Sequence, residues 1–320
     1  MRKTDDGKGD KRMMNKWMPI YGNFIQDEKD IVFEGSSTVN NLGEEQVQIG
    51  LLLFGNRMLS GKIEVDVEFE SEILEQSEEA EIVFDYVDEY NFKCAGITGN
   101  VMKYEAKHFE LGKWQWLKCN GDISKLQKKQ FHIQIEIISS YLRMIIDGVE
   151  VFWVQARVPF RKTQVGIWAS GKRRIRFSNY KIEYRQAEVF VISQFGGMYD
   201  QLYDNVIIPI CEKKGIKPIR ADEISASSMI LEDIIRSLQN ANIIIADITP
   251  NNPNVFYELG YAHAIRKPVI LLCEKAERSN LPFDISGFRT IFYDNTMAGK
   301  LQVEEMIEKY ISEILRKQGL

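Results

Sequence analysis

Residues 246–264 read ADITPNNPNVFYELGYAHA, and the reading of this stretch decides the second half of the chain. It closes a very apolar run at 242–246, crosses a turn rich in Asn and Pro, and enters a helix carrying one carboxylate, Glu258. Pro253 suits the first helical position, where its missing N–H has no partner to lose and its φ is already helical. Asn252 before it is a good N-cap, because its side-chain oxygen accepts from an otherwise unpaired N–H of the first turn. With the helix begun there, Asn254, Glu258 and Tyr261 lie near one face, at i, i+4 and i+7. Val255, Leu259 and Ala262 form a separate apolar face for docking on a sheet, and Gly260 marks a place where something is expected to pack tightly. A carboxylate near a helix start, just past a buried strand, is either a charge favoured by the helix dipole or a catalytic group.

Working outward, the pattern around this stretch alternates strands and helices. Residues 188–193 (EVFVIS) form a nearly continuous apolar run, as expected of a strand covered on both faces. A helix is expected over 199–214, kinked or broken at Pro209 and ended by Gly215. Strands follow at 216–219, 242–246, 268–273 and 290–293, with helices at 228–240, 253–266 and 303–316. Five strands alternating with helices mean a parallel, doubly wound α/β domain. In the flavodoxin-like order 2-1-3-4-5 the ligand crevice lies between the first and third strands, beyond their carboxyl ends. The loops lining it are then Ser193, Gln194, Phe195, Gly196 and Gly197 on one side and residues 247–254 on the other.

The first half reads differently. Residues 1–16 are expected to be a flexible tail, and from 17 to 186 the pattern is β throughout. Residues 62–70 (KIEVDVEFE) alternate apolar and charged side chains, the period of a strand with one wet face. Similar runs occupy 81–86, 114–119, 131–138, 141–146, 149–154, 166–170 and 175–182. Asp147-Gly148 between two of them is a hairpin signal, since a type I′ turn needs φ > 0 at both central residues. Many short strands without helices indicate an antiparallel β-sandwich. The chain is therefore multidomain, with a boundary near Arg185 and Gln186 and the α/β domain over 187–320.

Composition bounds the function. Among 320 residues, 44% hydrophobic and 27% charged side chains are those of an ordinary globular protein. A net charge of −5 gives no case for a nucleic-acid binder. No apolar run has signal-peptide or membrane-spanning length, so a cytoplasmic location without membrane association is expected. Cys94, Cys119, Cys211 and Cys273 stand apart with no CxxC pair, and His108, His132 and His263 are equally scattered, so no metal site is expected.

The stretches GKWQWLKCNGD, FHIQIEI, YLRMIIDGVEVFWV and TQVGIWASGKRRIRFSNYKIEY resemble concanavalin-like (laminin-G-like) jelly-roll modules. Such modules often end in a pair of strands that Gly166–Trp168 and Phe177–Tyr180 partly match. The resemblance implies a sensing or interaction role, with a protein or carbohydrate ligand. Trp114, Trp116, Trp153 and Trp168 are candidates for a sugar-stacking platform, although core positions suit most of them as well.

The segments IIIADITPNNPNVFYELGYAHAIRKPVILLCEK and LPFDISGFRTIFYD, with VFVISQFGG as first strand and loop, resemble nucleoside 2-deoxyribosyltransferase-like and TIR-like nucleotide-binding domains of bacteria. That resemblance gives Glu258 the role of attacking or stabilising the anomeric carbon of a nucleoside, nucleotide or NAD. Cleaving an N-glycosidic bond builds oxocarbenium character on that carbon, which a carboxylate below the ring can stabilise or trap as an ester. Ser193, Gln194, Phe195, Gly196, Asp222, Asp247, Asn254, Tyr257, Phe283 and Asp284 are the candidate substrate-binding residues, Asp222 and Asp247 for ribose hydroxyls. No cofactor is required; NAD or a nucleotide enters as substrate or ligand. Relatives of this kind usually self-associate, so a homo-oligomer is expected. Deoxyribosyltransferases proper carry an Asp six residues before the glutamate, where this chain has Asn252. The departure leaves two readings open: an N-glycosidase, in an architecture like that of bacterial defence effectors, or a nucleotide sensor coupled to the sandwich.

Overall fold

The computed structural model describes residues 17–27, 29–122, 127–223, 231–277, 281, 285, 287–288 and 290–317. The first domain consists of strands β1 (Trp17–Tyr21), β2 (Phe24–Gln26), β3 (Asp30–Phe33), β4 (Ser37–Val39), β5 (Glu45–Met58), β6 (Gly61–Phe69), β7 (Glu79–Asp88), β8 (Asn91–Thr98), β9 (Met102–Glu110), β10 (Lys113–Asp122), β11 (Gln130–Ile138), β12 (Tyr141–Ile146), β13 (Val149–Gln155), β14 (Thr163–Gly171) and β15 (Ile175–Tyr184). They form two antiparallel sheets: β1-β5-β14-β7-β8-β9-β10, with β4 on β5, and β13-β12-β11-β6-β15-β3-β2. Their inner faces enclose one core that includes Phe33, Leu52, Ile63, Ile82, Ile135 and Ile167. The period of two explains the choice of face. Along β6 every second residue from Gly61 to Phe69 is buried and Lys62, Glu64, Asp66 and Glu68 are not. Asp147 and Gly148 turn the β12–β13 hairpin with φ of 52° and 80°, the pair of positive values a type I′ turn demands.

The middle of the outer face of the first sheet is also buried, which alternation alone does not foretell. Leu51, Leu53, Val83, Phe92, Cys94 and Trp168 form a second apolar cluster there, with Trp114 and Phe109 against it. Within this face Lys107 is enclosed by three carboxylates, Glu105 at 2.6 Å, Glu79 at 3.0 Å and Glu81 at 3.2 Å, and lies over the Trp114 ring. Trp168 and Trp116 donate their indole N–H groups to Glu79 and Glu105. Burial, together with Glu79 and Glu105, pushes the Glu81 carboxyl up to about 8, while Lys107 pulls it down. The four tryptophans therefore divide. Trp168 is buried and Trp114 packs on it edge-on at 5.3 Å, whereas Trp116 and Trp153 are exposed on different sheets.

The second domain runs β16 (Glu188–Ile192), α1 (Met198–Leu202), a π turn (Tyr203–Ile207), α2 (Ile208–Lys213), β17 (Lys217–Arg220), α3 (Leu231–Asn240), β18 (Ile243–Asp247), α4 (Pro253–Ala264), β19 (Val269–Glu274), β20 (Thr290–Tyr293) and α5 (Met297–Lys317). The sheet is wholly parallel in the order β17-β16-β18-β19-β20, the 2-1-3-4-5 arrangement of a flavodoxin-like fold. One apolar core lies between the sheet and α1, α2 and α5, another between it and α3 and α4.

One helix follows its sequence expectation and one differs from it. The helix holding Pro209 is interrupted, as its sequence suggests: the chain widens into the π turn just before it, and Pro209 stands in the first turn of α2. The π turn makes room for a ring that would otherwise meet the carbonyl four residues back. The helix then ends in a Schellman motif, with Gly215 at φ 68° and the Ile216 N–H on the Cys211 carbonyl. The last helix starts at Met297 rather than 303, because Thr296 caps it through the Gly299 N–H at 3.0 Å. At Gly299 any Cβ would sit 1.9 Å from the Asp294 carbonyl oxygen. Of the helix expected over 228–240, the first three residues lie outside the described residues.

Among the described residues a few polar groups join the domains. Gln155 Nε2 donates to the Ile265 carbonyl at 2.7 Å, and Asn242 Nδ2 to Ser60 Oγ at 3.4 Å. Lys267 donates to the carbonyls of Gln239 and Ala241 at 2.6 and 2.7 Å beneath the Tyr141 ring of the sandwich. No described helix is long and apolar enough to cross a membrane.

Candidate functional site

The crevice between β16 and β18 opens into a cleft of about 490 Å³. Ser193, Gln194 and Phe195 reach it from the end of β16, Ala221 from the end of β17, Leu231 and Ile234 from α3, and Asn252, Asn254, Val255, Tyr257 and Glu258 from the start of α4. Its place follows from topology: the connections of β16 and β18 leave the sheet in opposite directions, so their carboxyl ends part there.

Helix α4 is set in position by its first turn. Asn252 stays extended at φ −97° and ψ 116°, and its Oδ1 accepts from the Asn254 N–H at 3.0 Å with Pro253 between them. Val255, Leu259 and Ala262 are buried against the sheet. This anchors the helix so that Glu258 points into the cleft, half-buried. Among the described residues no group donates a hydrogen bond or lends a positive charge to its carboxylate. Burial alone pushes its pKa up to about 7. A group placed only to satisfy the helix dipole would sit in water; this one is poised between its two protonation states near neutrality. Gly260, expected at a tight contact, is exposed, and a Cβ there would meet nothing within 4 Å, since it faces away from the sheet.

Of the other candidates, Ser193, Gln194, Phe195, Asn254 and Tyr257 share the cleft with Glu258. The Ser193 Oγ is sealed from solvent and has no hydrogen-bond partner among the described residues. Tyr261 is not in the lining; its hydroxyl accepts from Gln239 Nε2 at 2.8 Å and ties α4 to α3. Gly196 and Gly197 take φ of 95° and 57°, and the Gly196 N–H donates to Asp200 at 3.1 Å just outside the lining. Asp222 accepts from Arg220 at 2.8 and 2.6 Å. Asp247 is 1% exposed and accepts from Thr249 and from the Tyr293 hydroxyl at 2.8 Å. Burial raises its pKa, and the hydrogen bonds from Thr249 and Tyr293 oppose the rise. Asp222 and Asp247 thus lie beside the cleft, engaged with the protein itself. Phe283 and Asp284 lie outside the described residues.

Sequence reasoning missed Arg220. Its guanidinium joins Asp222 and Asp200 and lies 5.3 Å from the Phe195 ring and 4.4 Å from that of Tyr203. It braces the loop after β16 from below, and Phe195 with it. The only signal was an arginine beside an aspartate after a short strand, since Asp200 and Phe195 come together with it only on folding.

Residues 175–306 match the model of the nucleoside 2-deoxyribosyltransferase family. The deoxyribosyltransferase-like segment spans the whole cleft and carries Glu258. No curated protein matches the chain. Among solved structures, the chain is similar to the carbohydrate-binding module CBM66 from Bacillus subtilis, with 13% identity and a TM-score of 0.42 over 53% of this chain and 97% of that one. It is also similar to a Bacillus licheniformis beta-glucanase, with 9% identity and a TM-score of 0.38 over 56% and 95% of the two chains. The sandwich itself is defined by its own two-sheet topology.

Proposed function

We propose that the deoxyribosyltransferase-like domain breaks the bond between base and sugar in a nucleoside, a nucleotide or NAD, with Glu258 as the group beneath the anomeric carbon. The observation that carries this is a half-buried carboxyl group, unpaired among the described residues, at the switch point of the sheet, inside the segment the family model matches. In its ionised form Glu258 attacks the anomeric carbon or shields the oxocarbenium ion, and the electron pair of the broken C–N bond leaves with the base. Water completes hydrolysis, or a second base completes transfer. Among the described lining residues Glu258 is the only ionisable carboxyl group, which favours leaving groups that already carry positive charge, such as nicotinamide. The Asn254 side chain lines the cleft where sugar hydroxyls would enter, and Phe195 and Tyr257 offer rings to the base.

The purified chain is to be incubated with NAD, a purine deoxynucleoside and a nucleoside monophosphate, and free base read by chromatography, with Glu258→Gln alongside. Release of base by the parent and its loss in the variant is the expected result. Equal release by both, or none from any of the three, would overturn the catalytic role. A second reading, a nucleotide sensor, is favoured by Asn252, whose oxygen is committed to capping α4 where the transferases have an acid. It predicts a nucleotide that raises the melting temperature and is recovered intact.

A further inference from the structure

A second concavity, of about 560 Å³, lies between the two domains and is independent of the Glu258 cleft. Four cations line it: Arg57 and Lys162 from the sandwich, Arg185 from the linker, and Lys214 from the end of α2. Ile216 and Leu315 contribute apolar floor. No carboxylate is among its lining residues. Lys214 pairs with Glu308 at 3.1 Å and Arg185 with Glu188 at 2.9 Å, both partners standing outside the lining. Arg57 and Lys162 have no carboxylate partner among the described residues. Gathering like charges in one concavity costs Coulomb energy, and in a chain of net charge −5 nothing in the composition requires it. An anion bound there removes that cost. The volume falls within the range of small-molecule sites, and a floor of aliphatic side chains suits a ligand with an apolar part.

We propose that this groove binds a small organic phosphate carrying at least two negative charges, held by Arg57 and Lys162 from one side and by Arg185 and Lys214 from the other. Because each domain supplies part of the site, the bound ligand ties the sandwich to the α/β domain and links occupancy of the groove to their mutual placement.

The test uses the full chain and titration calorimetry, with inorganic pyrophosphate and adenosine monophosphate as probes, at low and at raised salt. Binding that weakens with salt is expected, as for partly exposed ion pairs. The double variant Arg57→Gln/Lys162→Gln is expected to lose about tenfold or more in affinity. Lys162→Arg, which keeps the charge, binds as the parent does. Glu258→Gln also binds as the parent does, which separates this groove from the catalytic cleft. Should the double variant fail to fold by circular dichroism, the single variants replace it, each with a smaller loss. Unchanged affinity in the Gln variants, loss of binding in Glu258→Gln alone, or no binding of either probe would overturn the proposal.

Discussion

Glu258 keeps its proton up to about pH 7 because folding strips water from the carboxylate and no described neighbour replaces it. A carboxyl group whose folded pKa lies above its unfolded value of 4.5 favours the folded state only while protonated. Stability is therefore undiminished below pH 4.5, falls as pH rises toward 7, and is lowest above it. Glu258→Gln is expected to match the parent in thermal unfolding at the acid end and to be more stable above pH 7; equal melting temperatures at both ends would contradict the burial assigned to this group. Base release, which needs the ionised form, rises through about pH 7 and falls on the order of 10³-fold or more in the same variant. Ser193 gives a complementary case. Its hydroxyl is buried without a partner among the described residues, so Ser193→Ala is expected to leave stability within about 0.5 kcal/mol of the parent, with KM unchanged. A clear loss of stability would show that the hydroxyl serves the fold.

Elements succeed or fail at their ends and on their hidden faces. Asn252→Ala removes the α4 cap and is expected to cost about 1 kcal/mol in denaturant unfolding, with reduced activity because Glu258 rides on that helix. This cap was legible in the sequence, since Asn-Pro before an apolar helix face has one common use. The start of α5 was not. Gly299 stands where the Asp294 carbonyl comes close, an approach that no local pattern records. Strands β8 and β9 were equally hidden, because both of their faces are covered and Lys93, Glu105 and Lys107, charged by type, are buried in ion pairs. Lys107→Met leaves the buried Glu81 and Glu105 and the partly buried Glu79 without their cation and is expected to cost about 3–5 kcal/mol of sandwich stability, read by thermal unfolding. A cost under about 1 kcal/mol would mean that the carboxylates simply take up protons.

At the scale of the whole molecule, two sets of cores meet through a few polar contacts around Ser60, Tyr141, Gln155, Asn242 and Lys267. Interfaces of this kind leave domains largely independent. Calorimetry is expected to show two unfolding transitions, the one for the α/β domain alone shifting in Asn252→Ala; a single cooperative transition would show that the interface couples them. What the sequence by itself determined were the features written in local period and chemistry: the two domain types, the strand alternation, the α4 cap, and the placing of Glu258 on the helix that follows the third strand of the α/β sheet. Those rest on neighbours within a few residues, so pattern reveals them. Tertiary structure alone decided which acids face the cleft, that Arg220 braces Phe195, that the middle of the outer face of the first sheet is sealed, and that cations of both domains share one groove. Each of these depends on residues far apart in sequence being brought together, and no local period records such meetings.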